Sequence, residues 1–324
     1  MRILAASVLV LLAAGGTAWA QTPSCQLQGL GTVEMHVTDS KVMLPVSVGG
    51  VQKEFELNLV GAFNWMTWET AGALNLRGHF SPFTGSNSNM GEFKRMVVPE
   101  LVLGNVKLKN VDFLVFPADA KGENVRDAVA IPLFGKVDLD LDMAAKRLNF
   151  FSQDHCTGKA VYWTQDYSQV PFEVQEFGFI RPTFQLDGKP VIAALNLNSS
   201  SSMTMGWAKQ IFGLDENSPG MTLVETPEKG PKIYRYPFKA LDIDQLHIAN
   251  PLIRVFGTDQ GPECNGRRTV EMPDPNRLRT LETDRFQSCS GGAGLVLGHS
   301  LLTRLHTYFS MKEKILYLSV AGAK

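Results

Sequence analysis

The sequence predicts an all-β chain, mainly β with a few short helices, built from two copies of one unit. Three observations carry this: apolar residues alternate around glycine turns, helical periodicity is scarce, and one pattern recurs at a nearly constant offset. Val46-Ser47-Val48 and Phe55-Glu56-Leu57 alternate about Gly49-Gly50, a hairpin signal. Leu101 to Leu108 repeats the alternation around Gly104-Asn105. Helical stretches are confined to Trp68–Leu74, Trp207–Phe212 and Leu301–Leu305.

The repeat organises the rest. Val48-Gly49-Gly50 aligns with Leu186-Asp187-Gly188, and Leu57-Asn58-Leu59 then falls on Leu195-Asn196-Leu197. Ala73-Leu74-Asn75-Leu76 matches Ile211-Phe212-Gly213-Leu214. Leu101, Leu103, Val106, Leu108, Asn110 and Phe116 match Leu241, Ile243, Leu246, Ile248, Asn250 and Phe256 at an offset of 140. Leu133-Phe134-Gly135 is aligned with Val296-Leu297-Gly298, and the terminal strand 147–151 with 315–318. The offset jumps after Phe256, so the second half carries an insertion at about 257–290.

The chain has 324 residues, 44% hydrophobic and 19% charged, enough for a sizeable core. Its formal net charge of −1 lacks the electrostatic footprint of a nucleic-acid binder. Arg2, the apolar run Ile3–Ala14 and Ala18-Trp19-Ala20 read as a secretory signal peptide, residues 1–20, cut after Ala20. A periplasmic or secreted protein without membrane insertion after cleavage is expected. In an oxidising compartment the four cysteines are expected to form two disulfides. Three pairings are possible. The repeat favours Cys25–Cys156, tying down the N-terminal arm, and Cys264–Cys289, stapling the insertion.

A hairpin, an acidic loop, a short helix, further hairpins and an apolar-apolar-Gly strand form the half-unit of aspartic peptidases. The repeat resembles two retropepsin-like units in tandem, as in bacterial aspartyl protease family proteins, over roughly residues 33–320. Phe151 to Cys156 and Val161-Tyr162-Trp163 resemble the junction of such proteins. The resemblance implies a bilobal pepsin-like acid protease fold made of two duplicated retropepsin-like β-barrel halves. The N-terminal lobe would span 21–163 and the C-terminal lobe 164–324.

In a working member each half supplies an Asp-Thr-Gly motif. Two close carboxylates share one proton, one activating water while the other polarises the scissile carbonyl. Thr locks the two loops together by hydrogen bonds, and Gly permits close backbone approach. Here the aligned motifs read Asn58-Leu59-Val60-Gly61 and Asn196-Leu197-Asn198-Ser199. An amide cannot accept a proton from water near neutral pH, so no catalytic residue is assigned. Leu59 and Leu197 are expected to deprive the loops of their usual hydrogen-bond lock. Leu59, Val60, Gly61, Leu197, Asn198 and Ser199 are candidates for lining the cleft.

Replacement carboxylates are not evident. Glu56 shares a strand face with Asn58, but its counterpart is Ala194. Asp187 lies at a turn, and Asp138, Asp140 and Asp142 alternate as if facing solvent. The histidines at 36, 79, 155, 247, 299 and 306 fit surface or packing roles, with no metal site and no cofactor expected. Ser199–Ser202 lacks a nucleophile elbow, and Gly291, Gly292 and Gly294 lack a phosphate-loop lysine. Phe63, Trp65 and Trp68, with Met203, Met205 and Trp207, fit core packing or an apolar peptide cleft. Loops 79–90 and 217–232 fit specificity elements or plain connections. The expectation is an exported pseudoenzyme binding an extended peptide, a protein or another ligand between its lobes. The alternative is an active aspartic-type endopeptidase with a divergent site.

Overall fold

The computed structural model describes residues 26–60, 63–76, 80–87, 91–120, 125–130, 135–175, 179–228, 230–259 and 292–323. The proposed signal peptide, Cys25, Gly61, the Leu133-Phe134 pair and most of the insertion, with Cys264 and Cys289, lie outside them. Cys156, the cysteine within them, is disulfide-bonded.

The first half runs β1 (Gly29–Glu34), β2 (His36–Val37), β3 (Val42–Val48), β4 (Val51–Asn58), β5 (Trp65–Met66) and α1 (Trp68–Ala73). It continues with β6 (Phe80–Asn87), β7 (Gly91–Leu103), β8 (Val106–Val115), β9 (Ala128–Ala130), β10 (Val137–Asp142) and β11 (Arg147–Ser152). The second half runs β12 (Ser168–Val174), β13 (Ile180–Leu186), β14 (Lys189–Asn196), β15 (Ser202–Thr204), α2 (Met205–Phe212) and β16 (Thr222–Glu225). Then come β17 (Ile233–Arg235), β18 (Ala240–Ile243), β19 (Leu246–Ala249) and β20 (Arg254–Phe256). The chain closes with β21 (Leu295–Gly298), α3 (His299–Leu302), β22 (Leu305–Ser310) and β23 (Ile315–Val320).

The architecture is mainly β, as predicted, and the duplication is written in its pairings. β4 runs parallel to β9 with Asn58 opposite Ala130, and β14 runs parallel to β21 with Asn196 opposite Gly298. β5 likewise pairs with β8, and β15 with β20, again in parallel. The equivalent helices α1 and α2 each start on a threonine: Thr67 accepts from the Thr70 N–H, and Thr204 from the Trp207 N–H. α2 stops at Gly213, whose φ of 72° makes a left-handed cap that suits glycine. α3 ends at Leu302, short of the expected Leu305, which instead opens β22.

The pairing corrects one alignment. The counterpart of Val296-Leu297-Gly298 is Ala128-Val129-Ala130, not Leu133-Phe134-Gly135. Alanine stands where the second half has glycine, so the glycine signal pointed five residues too far along the chain.

Between the halves lies a mixed-origin sheet in the order β1-β11-β10-β22-β23-β12. β10 and β11 come from the first half, β22, β23 and β12 from the second. One contiguous apolar cluster runs from Val33 and Leu44 through Leu195 to Leu318, so the halves share their core.

Candidate functional site

The site is built where the ends of β4 and β14 meet. Asn58 is buried and Asn196 half-buried, each at the last residue of its strand. Each side-chain oxygen caps the turn that follows: Asn58 Oδ1 accepts from the Val60 N–H at 3.2 Å, and Asn196 Oδ1 from the Asn198 N–H at 2.9 Å. This is an Asx turn, which the short amide side chain forms readily. The two loops therefore have the same local geometry in both halves.

They also touch. Asn198 Nδ2 donates to the Leu57 carbonyl at 2.8 Å, and the Val42 N–H donates to Asn198 Oδ1 at 2.9 Å. Leu57 directly precedes Asn58, so one amide side chain pins the second loop onto the first. Leu59 and Leu197 make no such bond, and the loops are instead joined from one side, by the residue two beyond Asn196. The behaviour was hidden in the sequence because both partners are backbone groups in the other half.

Leu59 and Leu197 do not line a cleft. Both are almost fully buried, at 5% and 1% exposure, and belong to the apolar core. Apolar side chains at these strand ends gain more by turning inward than by facing water. Val60, Asn198 and Ser199 are half-buried and remain at the surface of the loops. Behind them, Asn64 and Ser201 play matching parts, each accepting from an inner-strand N–H: Ala130 at 2.8 Å and Gly298 at 2.9 Å. His299 Nδ1 faces the Leu197 carbonyl at 2.7 Å, which makes this nitrogen the donor.

Glu56 is buried beside Asn58 and is already engaged. Lys41 Nζ donates to its Oε1, and Arg126 Nε lies 3.1 Å from its Oε2. Both of its oxygens thus face cations of the same lobe. Around the same lobe, Trp65 stacks on Phe116 at 4.7 Å and meets Phe93 and Phe63 edge-on. Met66, Met203 and Met205 are buried, whereas Phe63 is 41% exposed. The aromatic run thus divides between core and surface.

The acidic alternation in β10 is a further correction. Asp138 and Asp140 are fully buried, because the segment after β11 folds over that face of the sheet. Asp138 Oδ2 meets His155 Nε2 at 2.7 Å and accepts from the Tyr308 hydroxyl at 3.1 Å, while its Oδ1 accepts from the Met311 N–H at 2.9 Å. Asp140 meets His306 and accepts from Tyr162 at 2.6 Å and Asn149 at 2.9 Å. The His306 ring stacks on Trp163 at 4.0 Å. Burial alone would lower the His155 pKa. The hydrogen bond to Asp138, the Cys156 carbonyl on Nδ1, and the Asp138 and Glu313 charges outweigh it and raise the value above the ordinary 6.5. Burial first, then Asp138, pushes the Tyr308 hydroxyl well up, so it stays a donor. These groups tie β10 to β22, hence one half to the other.

A cavity of about 530 Å³ opens at β1 and β11, lined by Thr32, Asn105, Asp142, Arg147, Asn149 and Tyr162 among others. None of its lining residues belongs to the asparagine loops, and the duplicated geometry, not this cavity, locates the candidate site. No group of three or more His, Cys, Asp or Glu side chains suited to a metal occurs among the described residues. No helix among them is long and apolar enough to cross a membrane.

No protein-family model matches the sequence, and no curated protein matches it. Solved structures do. The aspartic proteinase from Irpex lacteus superposes with a TM-score of 0.51 at 10% identity, over 90% of this chain and 97% of that one. The fold is that of the bilobal pepsin-like aspartic proteases. The basic 7S globulin from soybean is also similar, with a TM-score of 0.46, 11% identity and coverage of 92% and 98%. A retropepsin-like aspartic protease from Rickettsia conorii matches 39% of this chain and 96% of its own, at 15% identity and a TM-score of 0.31.

Proposed function

We propose that this chain is a pepsin-like pseudoenzyme: it keeps the two-lobed scaffold, lacks the acid dyad, and binds an extended peptide or protein segment between its lobes. The observation that carries the reading is the paired geometry of Asn58 and Asn196. They end equivalent strands, cap equivalent turns and lie in loops joined by Asn198. If these are the positions of the family's aspartates, both acids have become amides, which can neither take up nor share the proton that the dyad chemistry requires. Glu56, the nearest buried acid on β4, is held by Lys41 and Arg126. Aromatic surface at exposed Phe63 and half-buried Trp65 supports a cleft that takes apolar side chains. The same reading makes the protein periplasmic or secreted after removal of residues 1–20, with Cys25–Cys156 and Cys264–Cys289 as its disulfides. The halves would divide between Trp163 and Thr164.

The test has two arms. Proteolysis of a denatured protein substrate between pH 3 and 8 should show no activity above that of Asn58→Ala and Asn196→Ala controls. Specific cleavage abolished by either substitution would establish the active-endopeptidase alternative instead. Incubation with a peptide library should raise the unfolding temperature if the cleft binds.

A further inference from the structure

We infer that the wall beside Asn58 is a subsite for a carboxylate, brought by an acidic side chain or by the free C-terminus of an extended peptide. The inference rests on the cleft-binding reading above and adds the chemistry of the ligand. Its basis is the charge arrangement around Glu56. Side chains alternate along β4, so Glu56 and Asn58 project from the same face. Glu56 is opposite Met43 on one side and Ala128 on the other, just as Asn58 is opposite Ala130. Lys41 directly precedes Val42, whose N–H holds Asn198 from the other half. The cluster therefore sits at the junction where both asparagine loops meet.

Two cations serve one carboxylate there. Glu56 is 3% exposed, whereas Lys41 is 50% exposed and Arg126 32% exposed. Asp127, next in sequence to Arg126, is turned towards α1 instead: its carboxylate accepts from the Thr67 N–H at 2.6 Å and the Thr70 hydroxyl at 2.6 Å, and it makes no ion pair with Arg126. Arg126 Nε, although 3.1 Å from Glu56 Oε2, is not aimed to donate to it and remains a buried donor without an acceptor. Burying Glu56 without a partner would be costly, which accounts for one cation. The second has capacity left over. A guanidinium and an ammonium at the rim of a partly desolvated surface favour a carboxylate, with the planar guanidinium able to take it in two hydrogen bonds. In the second half the residue matching Glu56 is Ala194, so the preference belongs to one side of the cleft and gives a bound peptide a direction.

The experiment uses the full exported chain and four pools of fluorescent octapeptides with randomised apolar and small positions. Three blocked pools carry one fixed Glu, Gln or Lys; the fourth carries Gln and a free C-terminal carboxylate. Fluorescence polarisation should show the Glu or the free-carboxylate pool binding about five- to tenfold tighter than blocked Gln, with Lys weakest. The pool that gains identifies which carboxylate is read. Lys41→Met and Arg126→Met should each bring the preference towards unity while blocked Gln still binds, the arginine variant leaving the Lys41–Glu56 pair intact. Glu56→Gln should enlarge it. Equal binding of all four pools, or a preference that survives both Met substitutions, overturns the subsite and leaves the cleft standing. Binding by no pool overturns the cleft reading, and the subsite with it.

Discussion

Replacing Asn198 with alanine should loosen the joint between the lobes. The substitution removes the hydrogen bond to the Leu57 carbonyl and the one accepted from the Val42 N–H. Both partners are backbone groups of residues whose side chains are fully buried, so water reaches them poorly once the amide is gone. Two net hydrogen bonds plus partial loss of solvation amount to about 2–3 kcal/mol. For a chain of this size that corresponds to a fall in unfolding temperature on the order of 5 °C. Circular dichroism melts of the wild type, Asn198→Ala and Asn198→Asp decide it. Aspartate keeps the acceptor for Val42 but sets an oxygen against the Leu57 carbonyl, so it should fall at least as far as alanine. Ser199→Ala serves as the local control, since its hydroxyl makes only a 3.4 Å contact with the next carbonyl. An Asn198→Ala melt within about 1 °C of wild type, or an aspartate variant more stable than alanine, would refute the idea that this side chain holds the loops together.

Two further outcomes are expected. The raised His155 pKa means the native state holds that proton more tightly than the unfolded chain, so its contribution is complete below about pH 6.5 and is lost as pH rises through the folded value. Melts between pH 5.5 and 9 should show this decline, and His155→Gln should flatten it; parallel curves would count against the Asp138 pair. Gly298→Ala would place a Cβ 2.2 Å from the Ser201 nitrogen and 2.3 Å from the Ser200 carbonyl carbon. As both are backbone atoms, the cost should reach about 3 kcal/mol or more by urea denaturation. The matching Ala130→Gly should cost only about 1 kcal/mol, and similar costs in the two lobes would contradict the asymmetry.

Asn58 and Asn196 were legible as a pair because a hairpin glycine precedes each by the same distance and strand alternation carries the register forward. The inner strand of the first half was not, since Ala128-Val129-Ala130 offers no glycine and little apolar contrast. Asp138 and Asp140 were misjudged for a physical reason. Alternation with Leu139 and Leu141 describes a sheet with one wet face, whereas here both faces are covered. Two of the residues that satisfy the acids, His306 and Tyr308, stand 166 and 170 positions away, beyond the reach of any local pattern. Asn198 was singled out as a loop residue, but its bonds run to main-chain atoms that carry no signature in the sequence. Leu59 and Leu197 were placed by motif position alone, and their apolarity was the better guide.

The order β1-β11-β10-β22-β23-β12 has a consequence for how the molecule is assembled. β23, at residues 315–320, sits between β22 and β12, while β22 sits against β10 of the first half. As the ribosome releases the chain, β10 and β12 therefore wait with an open edge until the last strands emerge. Pairings that close loops of this length are entropically slow and expose strand edges meanwhile. The free edge of β10 in the first half is thus covered only by a strand that follows it by more than 160 residues.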